Sequence, residues 1–143
     1  MSGKQHWIWR RLMLLVLLAC ATAAGSGPGA AQQERVIAEG KEEYLWQCAS
    51  CHGAGGAGDG EMAAILVRRP TDLTQIAKRN GGVFPFWRIY HTIDSAERVT
   101  GHEFFQMPQF SKRFREDEGK PGYPDAYVRI LLLTHFLETI QRK

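Results

Sequence analysis

Hydrophobic and polar positions sort this 143-residue chain into helices joined by irregular segments. Over residues 33–48, small or apolar residues recur every fourth position at Val36, Gly40, Tyr44 and Cys48, with Ile37 and Leu45 beside them. Glu39, Lys41, Glu42 and Glu43 fall on the other side, so the periodicity predicts an amphipathic helix. Residues 53–60 carry five glycines in eight positions, which neither helix nor strand tolerates well. The chain must turn sharply there or approach something closely. Pro70 precedes Thr71 and Asp72, which start a helix expected to run to Asn80 and to end at Gly81 and Gly82, residues that accept positive φ. A second short helix is expected over residues 85–92. From 95 to 123, Gly101, Pro108, Gly119, Pro121, Gly122 and Pro124 interrupt any period, which predicts loop. The last element is plain: Asp125 as cap, then Tyr127, Ile130, Leu133, Leu137 and Ile140 on one stripe and Val128, Leu132 and Phe136 on another. Such a helix is largely buried. No strand alternation stands out, and the expected class is all-α with substantial loops.

The N-terminus changes the picture of what folds. Lys4, Arg10 and Arg11 precede an apolar run over residues 12–24 and small residues as far as Ala31, the order of a secretory signal peptide. The run is shorter than the roughly 20 residues a membrane-spanning helix needs, so removal after Ala31 is favoured over an uncleaved anchor. Residues 1–31 are then the signal, and residues 32–143 form one domain in the periplasm. The formal net charge is +3, and the signal carries three of the 18 basic residues and none of the 15 acidic ones. The mature chain is therefore balanced, without the electrostatic footprint of a nucleic-acid binder. Of three cysteines, Cys20 lies in the signal, where a lipoprotein-type site fits poorly because Leu18 stands two residues before it. The other two, Cys48 and Cys51, form a tight pair, so no disulfide framework is implied.

That pair carries the chemistry. Cys48-Ala49-Ser50-Cys51-His52 fits Cys-x-x-Cys-His, the attachment signature of c-type haem. A helical turn brings two sulfurs near the two vinyl groups of one porphyrin, while the adjacent histidine lies under the iron as its fifth ligand. A thioredoxin-like dithiol would require a βαβ setting that the pattern lacks. A structural zinc site would require a second pair of ligands at close spacing. An export signal, a preceding amphipathic helix and a following glycine-rich turn all favour haem.

With these residues in hand, the chain resembles a class I (mitochondrial-type) cytochrome c over most of residues 35–141. The resemblance implies the cytochrome c fold, in which N- and C-terminal helices cross where a glycine meets aromatic and aliphatic side chains. Gly40, Tyr44 and Cys48 repeat the small, aromatic, cysteine order, and Leu133 and Phe136 would supply the other side. It also implies a proline carbonyl accepting the histidine Nδ1 proton, for which Pro70 is the candidate. The implied sixth ligand is Met107, in Met107-Pro108-Gln109-Phe110, whose neutral thioether would favour ferrous iron and raise the potential. Met62 lies only ten residues after His52, and His91 and His102 would give bis-histidine coordination instead.

Phe84, Phe86, Trp87, Tyr90, Phe104 and Phe105 are candidate pocket walls, and Arg79, Arg88 or Trp87 candidate holders of a haem propionate, against the reading of solvated surface arginines. Lys112, Arg113 and Arg115 form a basic cluster followed at once by Glu116, Asp117 and Glu118. Most such runs are solvated loops, and a minority steer a charged partner. The expected function is electron transfer by one covalently attached haem c, with Cys48, Cys51, His52 and Met107 binding it and His52 and Met107 on the iron. No catalytic residue is assigned. The partners are redox proteins, a dehydrogenase or an oxidase, with the protein itself a monomer and peripheral membrane association left open. The competing reading is a dedicated haem subunit of a dehydrogenase or terminal oxidase complex. A ligand-sensing or peroxidase role would need an open iron position.

Overall fold

The computed structural model describes residues 27–94 and 110–142, and the chain divides into two units, residues 1–33 and 34–143. The expected signal junction, Cys20, His102, Phe104, Phe105 and Met107 each raise a question; of these only the junction at Ala31 lies among the described residues. Every described element is helical and no strand occurs among the described residues, as the all-α expectation required.

The first helix, α1 (Pro28–Gln47), starts five residues earlier than its periodicity suggested. Pro28 suits a first helical position, where its missing N–H costs nothing and its φ is already set. In the first unit, residues 28–33 are helical and exposed. In the second, α1 buries Gly40 and Tyr44. A short turn, α2 (Ala49–His52), follows with hardly a break, because Cys48 N–H bonds the Tyr44 carbonyl and His52 N–H the Cys48 carbonyl, both at 2.9 Å.

After the glycine-rich segment come two 3-10 turns, Glu61–Ala64 and Leu73–Gln75. The second leads into α3 (Ile76–Arg79), and Gly81 and Gly82 close it with φ of 67° and 89°, as expected. The helix predicted over 71–80 is thus a 3-10 turn feeding one α-turn. Helix α4 (Phe86–Asp94) runs two residues past its expected end.

The loop predicted over 95–123 needs correcting, for it contains α5 (Phe110–Arg115). Phe110 and Phe114, one turn apart with ring centres 5.6 Å apart, bury one face with Ser111, while Lys112, Arg113 and Arg115 are exposed. Six residues are too few to show a helical period between prolines and glycines.

Helix α6 (Ala126–Thr139) is the core helix. Ile130, Leu133, Phe136 and Leu137 join Tyr44, Ile93, Phe110 and Phe114 in one apolar cluster. Two expectations fail here. Tyr127 and Val128 are exposed, and Arg129 is buried instead. Asp125 holds the cap position, yet its side chain makes no capping bond; Glu118 Oε1 accepts from Ala126 N–H at 3.2 Å.

The crossing of α1 and α6 is where a small residue was expected, with a change of partner. A Cβ on Gly40 would collide with the Leu132 carbonyl oxygen and stand 2.7 Å from its carbon and 3.1 Å from Phe136 Cβ. Leu132 therefore faces Gly40, while Leu133 packs into the core that Tyr44 and Phe136 share, their rings 5.1 Å apart. Glycine lets the two backbones touch.

Candidate functional site

The site is built around α2. Cys48 ends the turn begun by Tyr44, and Cys51 and His52 follow within one further turn, so a single helical step presents both sulfurs and the imidazole. The two cysteines are half-buried and form no disulfide. Burial holds the Cys48 thiol well above its ordinary pKa, and the nearby Glu43 and Cys51 push it the same way, so it stays protonated at neutral pH.

The glycine-rich segment folds back beneath this turn. Gly58 N–H bonds the His52 carbonyl at 2.8 Å and Gly60 N–H the Cys51 carbonyl at 3.2 Å. A Cβ on Gly60 would run into the Ser50 and Ala49 carbonyl oxygens and stand 2.7 Å from Cys51 C, so only glycine closes the loop against the motif. The buried Tyr44 hydroxyl donates to the Gly53 carbonyl at 2.7 Å, tying α1 to the start of the same loop. That burial raises the Tyr44 pKa and keeps the phenol a donor.

His52 is 8% exposed, and its Nδ1 lies 3.0 Å from the Thr71 carbonyl oxygen. A carbonyl only accepts, so the proton sits on Nδ1 and Nε2 carries the basic lone pair, the arrangement a metal-ligating imidazole requires. The expected acceptor was Pro70. Its carbonyl instead packs against Gly58, where a Cβ would strike it, and the peptide one residue on turns toward the histidine.

Thr71 is held by its neighbours. Leu73 N–H bonds the Gly56 carbonyl at 2.7 Å, and Arg79 Nη2 donates to the Asp72 carbonyl at 2.7 Å. Asp72 Oδ1 accepts from Thr74 N–H at 2.9 Å and from Thr74 Oγ1 at 2.6 Å. From the far end of the chain, Gln141 Nε2 donates to the Leu73 carbonyl and its Oε1 accepts from Ala77 N–H, both at 2.9 Å. Sequence reasoning missed Gln141, since nothing in a C-terminal Gln-Arg-Lys announces a contact with residues 73–77.

The Thr74 hydroxyl is the first cause holding the Asp72 carboxyl below the usual carboxylate range. A depressed folded-state pKa stabilises fully above the unfolded value of about 3.9 and is lost as pH falls through the folded one. Asp72→Asn should therefore flatten the acid limb of a stability-against-pH curve below about pH 4. At neutral pH Asp72→Ala, which removes the accepting oxygen, should cost about 1 kcal/mol; urea melts across the range measure both.

Phe84, Phe86 and Tyr90 are half-buried and Trp87 is 64% exposed. Phe86 meets Trp87 edge-on at 5.4 Å and Trp87 meets Tyr90 at 5.7 Å, so these candidate walls form one aromatic row along α4. Arg79 and Arg88 already have partners, the Asp72 carbonyl and Asn80 Oδ1. His91 and Met62 are exposed. No group of three or more His, Cys, Asp or Glu side chains placed to hold a metal ion occurs among the described residues. The thioredoxin-like reading lacks its strand among those residues. Two thiols and one imidazole with a fixed tautomer are the donors that a covalently attached haem uses.

No helix among the described residues is long and apolar enough to cross a membrane. No curated protein and no solved structure matches the chain. A family model, Cytochrome c, matches residues 37–120.

Proposed function

The chain belongs to the cytochrome c family, and from that premise we propose that it is an exported, single-haem electron carrier working between redox proteins of the periplasm. The family binds haem c covalently and transfers electrons through it, and Cys48 and Cys51 fit its attachment motif. Residues 1–31 are its secretory signal and residues 32–143 its haem domain; the division of the chain after Gln33 lies close to that junction.

When attached, the haem supplies reversible one-electron chemistry. The protein's own residues do the rest. Cys48 and Cys51 would hold the porphyrin by its edge, and His52 would offer Nε2 to the iron, with the Thr71 carbonyl fixing both ring orientation and basicity. Met107 would give a further iron ligand, a soft thioether that would raise the potential. Apolar side chains on α4 and α6 would limit water access. The protein is read as a carrier rather than an enzyme, as members of the family typically are.

The observation that carries this reading is the pairing of His52 Nδ1 with Thr71 O beside two unbridged thiols. The near-infrared spectrum of the exported ferric protein tests the ligand set. It should show the methionine-to-iron charge-transfer band, and Met107→Ala should abolish it. A band that survives the substitution would transfer the ligand role to another residue.

A further inference from the structure

The carbonyl that faces His52 Nδ1 belongs to a segment, residues 71–79, built from one 3-10 turn and the single turn of α3. Some of its bonds are internal. Asp72 Oδ1 accepts from Thr74 N–H, and Arg79 reaches back to the Asp72 carbonyl. Such bonds shape the segment but do not fix where it stands relative to the histidine.

Its place is set from two other sides. Toward the attachment motif, Leu73 N–H bonds the Gly56 carbonyl at 2.7 Å. From the opposite side come the residues that follow α6. Half-buried Gln141 satisfies three backbone groups with one amide: Nε2 donates to the Leu73 carbonyl at 2.9 Å and to the Leu137 carbonyl at 2.6 Å, and Oε1 accepts from Ala77 N–H at 2.9 Å. Arg142 N–H adds a bond to the Thr74 carbonyl at 2.9 Å. Ile140 covers the same place, since a Cβ on Gly56 would stand 2.8 Å from its Cδ1 and 3.6 Å from Thr74 Cγ2. Leu137 belongs to the buried core, so the amide ties the segment to the most firmly packed helix of the fold. The carbonyl it grips, that of Leu73, lies two residues after Thr71.

We infer that Gln141 is a positioning residue for the haem ligand: by clamping residues 73–77 to α6 it keeps the Thr71 carbonyl on His52 Nδ1. This rests on the reading of His52 as an iron ligand and makes no use of the sixth ligand. A carbonyl accepting the Nδ1 proton makes the imidazole a more basic ligand, and a more basic ligand favours ferric iron. Releasing the clamp weakens that bond, lowers the basicity of the ring and raises the reduction potential.

The test compares exported holoprotein of wild type, Gln141→Met, Gln141→Ala and Ile130→Val. Gln141→Met keeps the length of the side chain and removes all three hydrogen bonds, Gln141→Ala removes its packing as well, and neither changes the net charge. Ile130→Val loosens the buried part of α6 away from the clamp and is the control for destabilisation alone. Spectroelectrochemistry reads the ferrous-to-ferric ratio at the wild-type midpoint. It should rise at least about threefold in both Gln141 variants, the factor that weakening one hydrogen bond supplies, and stay close to one in Ile130→Val. In the ferrous protein, NMR should show the His52 Nδ1 proton exchanging with deuterium about tenfold faster in the Gln141 variants, beyond any rise that core amides share. Gln141→Met carries the test if Gln141→Ala fails to fold. Should either readout match wild type in the Gln141 variants, whatever their melting temperatures, Gln141 is a structural contact only and the inference falls. A wild type without covalent haem, or a His52→Ala variant with an unaltered spectrum, would instead remove the reading of His52 as ligand, and the inference with it.

Discussion

Gly40→Val should lower the melting temperature of the exported protein by about 10 °C. A Cβ at this position meets the Leu132 backbone, which has no rotamer to yield, and Phe136 Cβ stands 3.1 Å away. Overpacking of this kind costs about 3 kcal/mol at the upper end of its usual range, against a gain of roughly 0.5 kcal/mol in helix propensity. The two helices must separate, and the ring contact of Tyr44 with Phe136 at 5.1 Å goes with them. Lys41→Ala, on the exposed side of the same turn, should melt with wild type. Circular dichroism against temperature reads both, and a Gly40→Val protein as stable as its parent would mean that the crossing is not where α1 and α6 touch.

His52→Ala should have the largest effect on the haem itself. The thioether attachment is independent of the imidazole, so the protein should stay coloured while the low-spin spectrum gives way almost entirely to a high-spin one. The Thr71 carbonyl, part-buried beside the ring, loses its donor at a cost of roughly 1 kcal/mol. Added imidazole should enter the space left by the side chain and restore the low-spin bands. An unaltered spectrum in the variant would show that His52 does not bind iron.

How much of this could be read along the chain depends on whether a local pattern carried it. The attachment turn did, because five adjacent residues contain its whole chemistry, while the crossing at Gly40 followed from the family resemblance that this turn carries, with Leu132 in the place expected of Leu133. The glycine-rich segment gave the need for close approach without its object, which proves to be the carbonyls of Ala49 and Ser50. Other features depend on residues far apart in sequence. Arg129 falls on neither apolar stripe of the last helix, and its partners, Glu43 and Asp117, lie 86 and 12 positions away. Thr71 displaced Pro70 as acceptor through a peptide orientation set by Gly56, Gly58 and Arg79. Helix α5 was hidden by its length, and the exposure of Tyr127 and Val128 by the assumption that an apolar stripe is a buried one. Asp125 has the residue type of a cap, but Glu118 reaches the helix first.

Covalent attachment of one haem through Cys48 and Cys51 is the claim on which the rest depends, and mass spectrometry of the denatured, exported protein tests it most directly. The account predicts a single species heavier than the processed polypeptide by one haem, with the added mass on the peptide that contains both cysteines and with no thiol left to alkylate. A polypeptide of unmodified mass, with both thiols open to alkylation, would contradict it.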